Sequence, residues 1–179
     1  MSSQFKENLL KLAKEVDSVC RWVRTAHFVS AGIWDVIGLF LGVSAIVVGV
    51  AGGGSAGAGI FGPANPALAA VLSATAGLTA GVVSFLKPSD RASAHKKAGD
   101  DWSILRDKVV SFWQLEIVLE TDELKLEKKY DDLLKEKEDI TRKSPIFSNW
   151  VFGWAKQVLR KRDEAEKKKQ GAESATAPV

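Results

Sequence analysis

From the N-terminus, apolar side chains recur at Phe5, Leu9, Leu12, Val16, Val19, Val23 and Ala26, alternately four and three residues apart. That spacing keeps one side of an α-helix apolar and predicts an amphipathic helix over residues 1–27. No Gly or Pro interrupts the segment, so the helix is expected to continue past residue 27 toward the next apolar stretch. There the alternation stops. From Val36 to Leu86 the chain has no Asp, Glu, Lys, Arg or His. As one helix this run would be roughly 75 Å long, against about 30 Å of hydrocarbon in a bilayer. One crossing is excluded and two fit, because GGGSAGAGIFGPANP between Gly52 and Pro66 breaks helices. The pattern therefore predicts a transmembrane helical hairpin over 28–86. Span one covers about 28–51, the loop 52–65 and span two about 66–86, with Asn65 capping and Pro66 at the first helical position.

Beyond the hairpin, PSDRASAHKKAGDDWSILRDKVVSFW predicts a helix with Ser89 as N-cap and a stripe at His95, Ala98, Trp102, Leu105, Val109 and Phe112. ETDELKLEKKYDDLLKEKEDI is a second helical unit carrying Leu124, Tyr130, Leu133, Leu134 and Ile140, set off by a register shift near Thr121 and Asp122. SPIFSNW punctuates the chain. A last helix, NWVFGWAKQVLRKRDEAEKKK, is expected to gather Phe147, Trp150, Val151, Trp154 and Val158 on one side. Residues 87–168 thus read as a cytoplasmic helical bundle region, and 169–179, ending in GAESATAPV, as a disordered tail. The fold class is all-α: a two-span transmembrane hairpin with cytoplasmic amphipathic, coiled-coil-like helices.

Composition alone would suit a soluble domain, with a net charge of +3 and 26% charged residues. The distribution of those charges changes the picture, because all of them lie in the flanks. Between Val36 and Val50 stand ten Val, Ile, Leu or Phe residues. Together they favour insertion by roughly 3 to 6 kcal/mol, against at most about 3 for an acid at the bilayer centre. The soluble alternative, a buried hairpin in a bundle, fails on length, since the remaining chain is too short to cover both helices all round. Lys11, Lys14, Arg21 and Arg24 precede span one, Lys87, Arg91, Lys96 and Lys97 follow span two, and the loop has no basic residue. The positive-inside rule then places both termini in the cytoplasm of a cell with a multi-pass protein in its inner or plasma membrane. The first 20 residues are charged throughout and do not read as a removable signal peptide. Cys20, the one cysteine, is expected as a reduced thiol.

No catalytic constellation stands out. Gly57, Gly59 and Gly62 in GAGIFG satisfy G-x-G-x-x-G, but the strand, the βαβ unit and the following acid of a nucleotide site are missing. His27 and His95 stand at opposite ends of the hairpin with no Cys partner or HxxxH spacing, so interfacial packing is expected rather than a metal site. No nucleophile lies beside a base. The expectation is no enzyme, no cofactor, no metal and no nucleic-acid partner. The run from Glu120 to Lys143 reads as a solvated helix face. The last helix, with Trp150 and Trp154 beside Lys156, Arg160, Lys161 and Arg162, has two readings: packing against the bundle, which is favoured, or lying on an anionic membrane surface.

Inside the spans, Ala31, Asp35, Gly38, Gly42, Ala45 and Gly49 fall within roughly 60° of one line at about 100° per residue. Gly38 and Gly42 make a GxxxG pair. Ala70, Ser73, Gly77, Gly81 and Ser84 are the counterpart on span two, and Thr75 and Thr79 lie on its other face. Asp35, Gly38, Gly42, Gly49, Ser73, Gly77, Gly81 and Ser84 are therefore the candidate seam or pore residues, within one chain or between chains. Asp35 has two placements. Span one is long enough from Val36 onward to leave the acid at the cytoplasmic headgroup edge, or the acid faces the seam it shares with the glycines.

At the junction after span two, ASAHKKAGDDWSILRDKV, with Ala92, His95, Ala98, Trp102 and Leu105, resembles the SLATT family. These are two-transmembrane effector domains associated with SMODS nucleotidyltransferases and SLOG sensors in prokaryotic conflict systems. The layout is similar over nearly the whole chain. The resemblance implies an oligomeric, pore-forming or membrane-perturbing effector that arrests or kills the cell on a signal. Because these 179 residues hold no nucleotidyltransferase or SLOG domain, sensing is expected to fall to a separate protein or to the cytoplasmic helices. The partners implied are the lipid bilayer, further copies of the chain and that sensor. The competing expectation is a non-conducting, membrane-anchored helical scaffold for a cytoplasmic partner.

Overall fold

A computed structural model of the chain describes residues 3–53 and 66–176. Every element among them is helical: α1 is Ser3–Gly53, α2 is Pro66–Leu86, α3 is Pro88–Ser111, α4 is Glu123–Lys143 and α5 is Asn149–Thr176. A π-helical turn at Phe112–Glu116 and a short helical turn at Ile117–Leu119 prolong α3. α1 is unbroken over 51 residues: it has no proline, and it carries Gly32, Gly38, Gly42 and Gly49 without a break. Asn65, most of the 52–65 loop and the GAGIFG glycines lie outside the described residues.

Helix ends follow local chemistry. α2 opens on Pro66, whose missing N–H costs nothing in a first turn. α3 opens on Pro88 and not after Ser89, because Lys87 takes a positive φ of 44° and breaks the path. The break is slight: the Lys87 N–H still reaches the Val83 carbonyl at 3.0 Å, and the Lys87 carbonyl accepts from Arg91 at 3.1 Å. Asp122 caps α4, its Oδ1 accepting from the N–H groups of Leu124 at 3.0 Å and Lys125 at 3.4 Å. α5 runs to Thr176, past residue 169 where a disordered tail is expected. Its Glu-, Lys- and Ala-rich turns are strong helix formers with no proline before Pro178.

The chain divides into two compact units, Met1–Ser30 with Ala94–Val179, and Ala31–Ser93. In the first, Leu9, Ala13, Val16 and Cys20 of α1 pack with Trp102, Leu105, Val109 and Phe112 of α3 and Leu126 and Leu133 of α4. The stripe from His95 to Phe112 is buried along its whole length. On α1 the buried line is rotated from the expected seam. Leu12 and Val19 are exposed, while Ala13 and Cys20 are wholly buried, because small side chains let the backbone approach the large Trp102 and Phe112. On α4 the core residue is Leu126, not the exposed Leu124. On α5 the buried line is Val151, Ala155 and Leu159, and Trp150, Trp154 and Val158 are turned outward. Arg106 holds Asp17 at 2.8 Å, and Arg21 pairs with Asp163.

Among the described residues two helices are long and apolar enough to cross a membrane, and the second unit holds the charge-poor part of each. Residues 87–93, expected with the bundle, belong here: Pro88 packs against Gly38, and the Arg91 guanidinium stands 4.7 Å over the Trp34 ring. Leu39, Phe40, Ile46, Leu78 and Phe85 are each two-thirds or more exposed, a distribution that water would penalise heavily.

Candidate functional site

The predicted seam residues do not act as one surface. A methyl group on Gly38 would stand 3.2 and 3.3 Å from the Pro88 ring, and one on Gly49 3.8 Å from Ala76 Cβ. Gly42, Gly77 and Gly81 would meet nothing within 4 Å. Ser73, Gly77, Gly81 and Ser84 are all exposed. The half-buried positions of α2 are instead Leu72, Ala76, Thr79, Val83 and Leu86, again four and three apart. Within the chain, the glycine line of α2 is thus not its half-buried side. Bulkier side chains fill the space there, and the small-residue face stays open. Thr75 and Thr79 each donate to the carbonyl four residues back at 2.8 Å, which satisfies both hydroxyls within their own helix.

Asp35 is exposed and lines a cleft of about 600 Å³ with Gly38, Ser84, Lys87, Pro88 and Asp90 among its neighbours. The acid thus shares a polar mouth with Lys87 and Asp90 at one end of the apolar helices.

The two histidines, 68 positions apart in sequence, meet in the first unit. His27 Nδ1 and His95 Nδ1 are 3.1 Å apart, and both residues are buried. A hydrogen bond between two neutral rings at this distance needs one Nδ1 to donate and the other to accept, a choice set by their tautomers. The Phe147 ring meets His27 edge-on at 5.0 Å, and Phe147 stacks in turn on Phe152. Burial pushes the His27 imidazole down to about 4, with the neighbouring His95 adding to the effect, and burial also lowers His95. His27 Nε2, Ser30 Oγ and Arg24 Nε are buried without a hydrogen-bond partner. Among the described residues, no cluster of three or more His, Cys, Asp or Glu side chains forms a metal-binding group. Nearby, Gly99 admits the Phe28 ring, which would stand 3.0 Å from a methyl group there. Neither the histidine contact nor the Gly99 approach is visible in helical spacing, since each joins two distant elements.

No protein-family model, no curated protein and no solved structure matches this chain. What the arrangement does chemically is therefore read from the side chains. The neutral histidine pair joins the middle of α1 to the first turns of α3 within their unit, with Phe147 edge-on against His27. Cys20 is inert by the same logic: it is wholly buried, and burial, helped by the Asp17 carboxylate, pushes its thiol up to about 11.

Proposed function

We propose that the protein is an oligomeric membrane effector whose two apolar helices cross the bilayer as a hairpin, with both termini in the cytoplasm. In this reading it perturbs the membrane, by pore formation, on a signal from a separate sensor. The observation that carries the proposal is the charge-free, outward-facing apolar stretch of each long helix, a surface of the kind that lipid or further copies would cover. The open faces at Gly42, Gly77 and Gly81 support assembly between chains, because small residues let membrane helices pack closely. Two spans enclose no water path alone, so conduction needs several copies. The resemblance to SLATT effectors supports the same reading and supplies its biological setting, a prokaryotic defence system ending in arrest or death.

A second reading, the non-conducting anchor, is favoured by Thr75 and Thr79. Their hydroxyls are already satisfied inside the helix, which suits a face against lipid better than one lining water. Dye and ion leakage from liposomes holding the purified chain separates the two. Leakage that rises with oligomer formation supports the pore. Stable insertion with no leakage in any oligomeric or triggered state rejects it in favour of the anchor.

A further inference from the structure

The outward aromatic stripe of α5 has a use beyond the bundle. Val151, Ala155 and Leu159 are 4%, 0% and 5% exposed, and they already provide the side on which α5 packs. Trp150, Trp154 and Val158 lie one residue behind them on the helix and are exposed, Trp150 by 60% and Trp154 by 49%. Taking Trp150 as the origin, Trp154 lies at about 40°, Val158 at about 80°, Lys161 at about 20° and Lys168 near 0°. One face therefore changes along its length from two indoles and a valine to lysines.

The charge on this helix is less balanced than its sequence suggests. Asp163 is held by Arg21 and Glu164 by Arg160 at 3.6 Å. Lys156, Lys161, Arg162, Lys167 and Lys168 are all exposed. Between Asn149 and Lys169 the sequence holds seven Lys or Arg against three Asp or Glu. Exposed tryptophan is costly in water and is the residue best suited to the headgroup layer, where its ring is sheltered and its N–H stays hydrated. Cations beside it meet anionic lipid favourably near the surface.

We propose that the Trp150–Trp154–Val158 face of α5 docks on an anionic lipid surface, with Lys161 and its neighbouring cations against the headgroups. The proposal shares with the membrane-effector reading a chain that lives at a bilayer, but it does not require conduction. It also joins the two readings of this helix, since one line packs on the bundle while the adjacent line meets lipid.

The test uses the full chain in vesicles of phosphatidylcholine alone or mixed with phosphatidylglycerol. An environment-sensitive NBD label is placed at Trp154→Cys, and at Lys135→Cys on the exposed side of α4 as a control; the buried Cys20 stays unlabelled. Brominated lipid is expected to quench the label at 154 several-fold more in anionic vesicles than in neutral ones, and to leave the label at 135 unquenched in both. Raised salt should reverse the difference. A label at 154 as water-exposed as the one at 135 in anionic vesicles overturns the proposal. So does protection at 154 that ignores lipid charge and grows with the protein-to-lipid ratio, which would mark a second protein copy as the cover. Retention after alkaline carbonate reports the spans separately. A retained chain with 154 exposed removes the docking face alone, whereas a released chain with 154 still quenched keeps the face and removes the spans.

Discussion

His27 and His95 face each other Nδ1 to Nδ1 at 3.1 Å in a buried contact between two distant stretches of the chain. Both groups favour the neutral form in the folded state. Their folded values lie below the unfolded value of 6.5, so their stabilising effect is complete above about pH 6.5 and fades as the pH falls toward 4. For His27 alone the loss between pH 7 and pH 5 is about 2 kcal/mol. Thermal unfolding in detergent, followed by circular dichroism, should show the melting temperature dropping over that window. In His27→Phe the drop should shrink. An unchanged melting temperature from pH 7 to pH 5 in the parent chain would contradict the buried pair.

Gly38 and Gly42 should part company on substitution, although sequence makes them equivalent members of one GxxxG pair. The rigid Pro88 ring stands against Gly38, so Gly38→Leu is expected to destabilise the single chain by about 2 kcal/mol. Gly42 has open space, so Gly42→Leu should change single-chain stability by less than about 0.5 kcal/mol. Its effect should emerge instead as a loss of crosslinked oligomer. Equal destabilisation by both would refute the contact.

The rotated seam of α1 makes a similar contrast between adjacent residues. Ala13→Leu forces extra volume into a fully packed position and should cost about 1–3 kcal/mol. Leu12→Ala removes an exposed side chain and should cost under about 1 kcal/mol. Denaturant titration of the two variants decides which line is buried, and the reverse ranking would restore the seam that the heptad spacing predicts.

Removing the Asp122 carboxylate leaves the N–H groups of Leu124 and Lys125 without their acceptor. Asp122→Ala should therefore cost about 1 kcal/mol, and Asp122→Asn much less, since the amide oxygen still accepts. Melting temperatures of the two variants would test the cap, and equal losses would point to charge rather than to hydrogen bonding.

Helix boundaries were the most legible part of this chain, because Pro66, Asp122 and the SPIFSN segment carry their own backbone chemistry. The His95–Phe112 stripe was legible too, since large residues at consistent spacing leave one side to bury. Where large residues lay on two adjacent lines, size misled. On α5 the tryptophans outrank Ala155 in hydrophobic area, yet Ala155 is the one that fits under the helix. On α1, Ala13 and Cys20 are inside because they are small, a preference set by Trp102 and Phe112 far along the chain. On α2 the glycine line promised close packing, but Leu72, Val83 and Leu86 occupy the half-buried side. The histidine contact belongs to the same class, for spacing along one helix says nothing about which residue of another it will meet.

The π-helical turn at Phe112–Glu116 carries a last consequence. Ile117 donates its N–H to the Phe112 carbonyl, five residues back, and both side chains are buried, at 3% and 0% exposure. An α-helix would set residues five apart about 140° from one another, so the two would not point the same way. The turn thus accommodates one more residue than an α-helical turn would. Gln114 and Leu115, both exposed, mark where that residue can be taken out again. A one-residue deletion there would close the turn as ordinary α-helix and swing every later side chain of this segment by about 100° relative to α3, taking Ile117 out of line with Phe112.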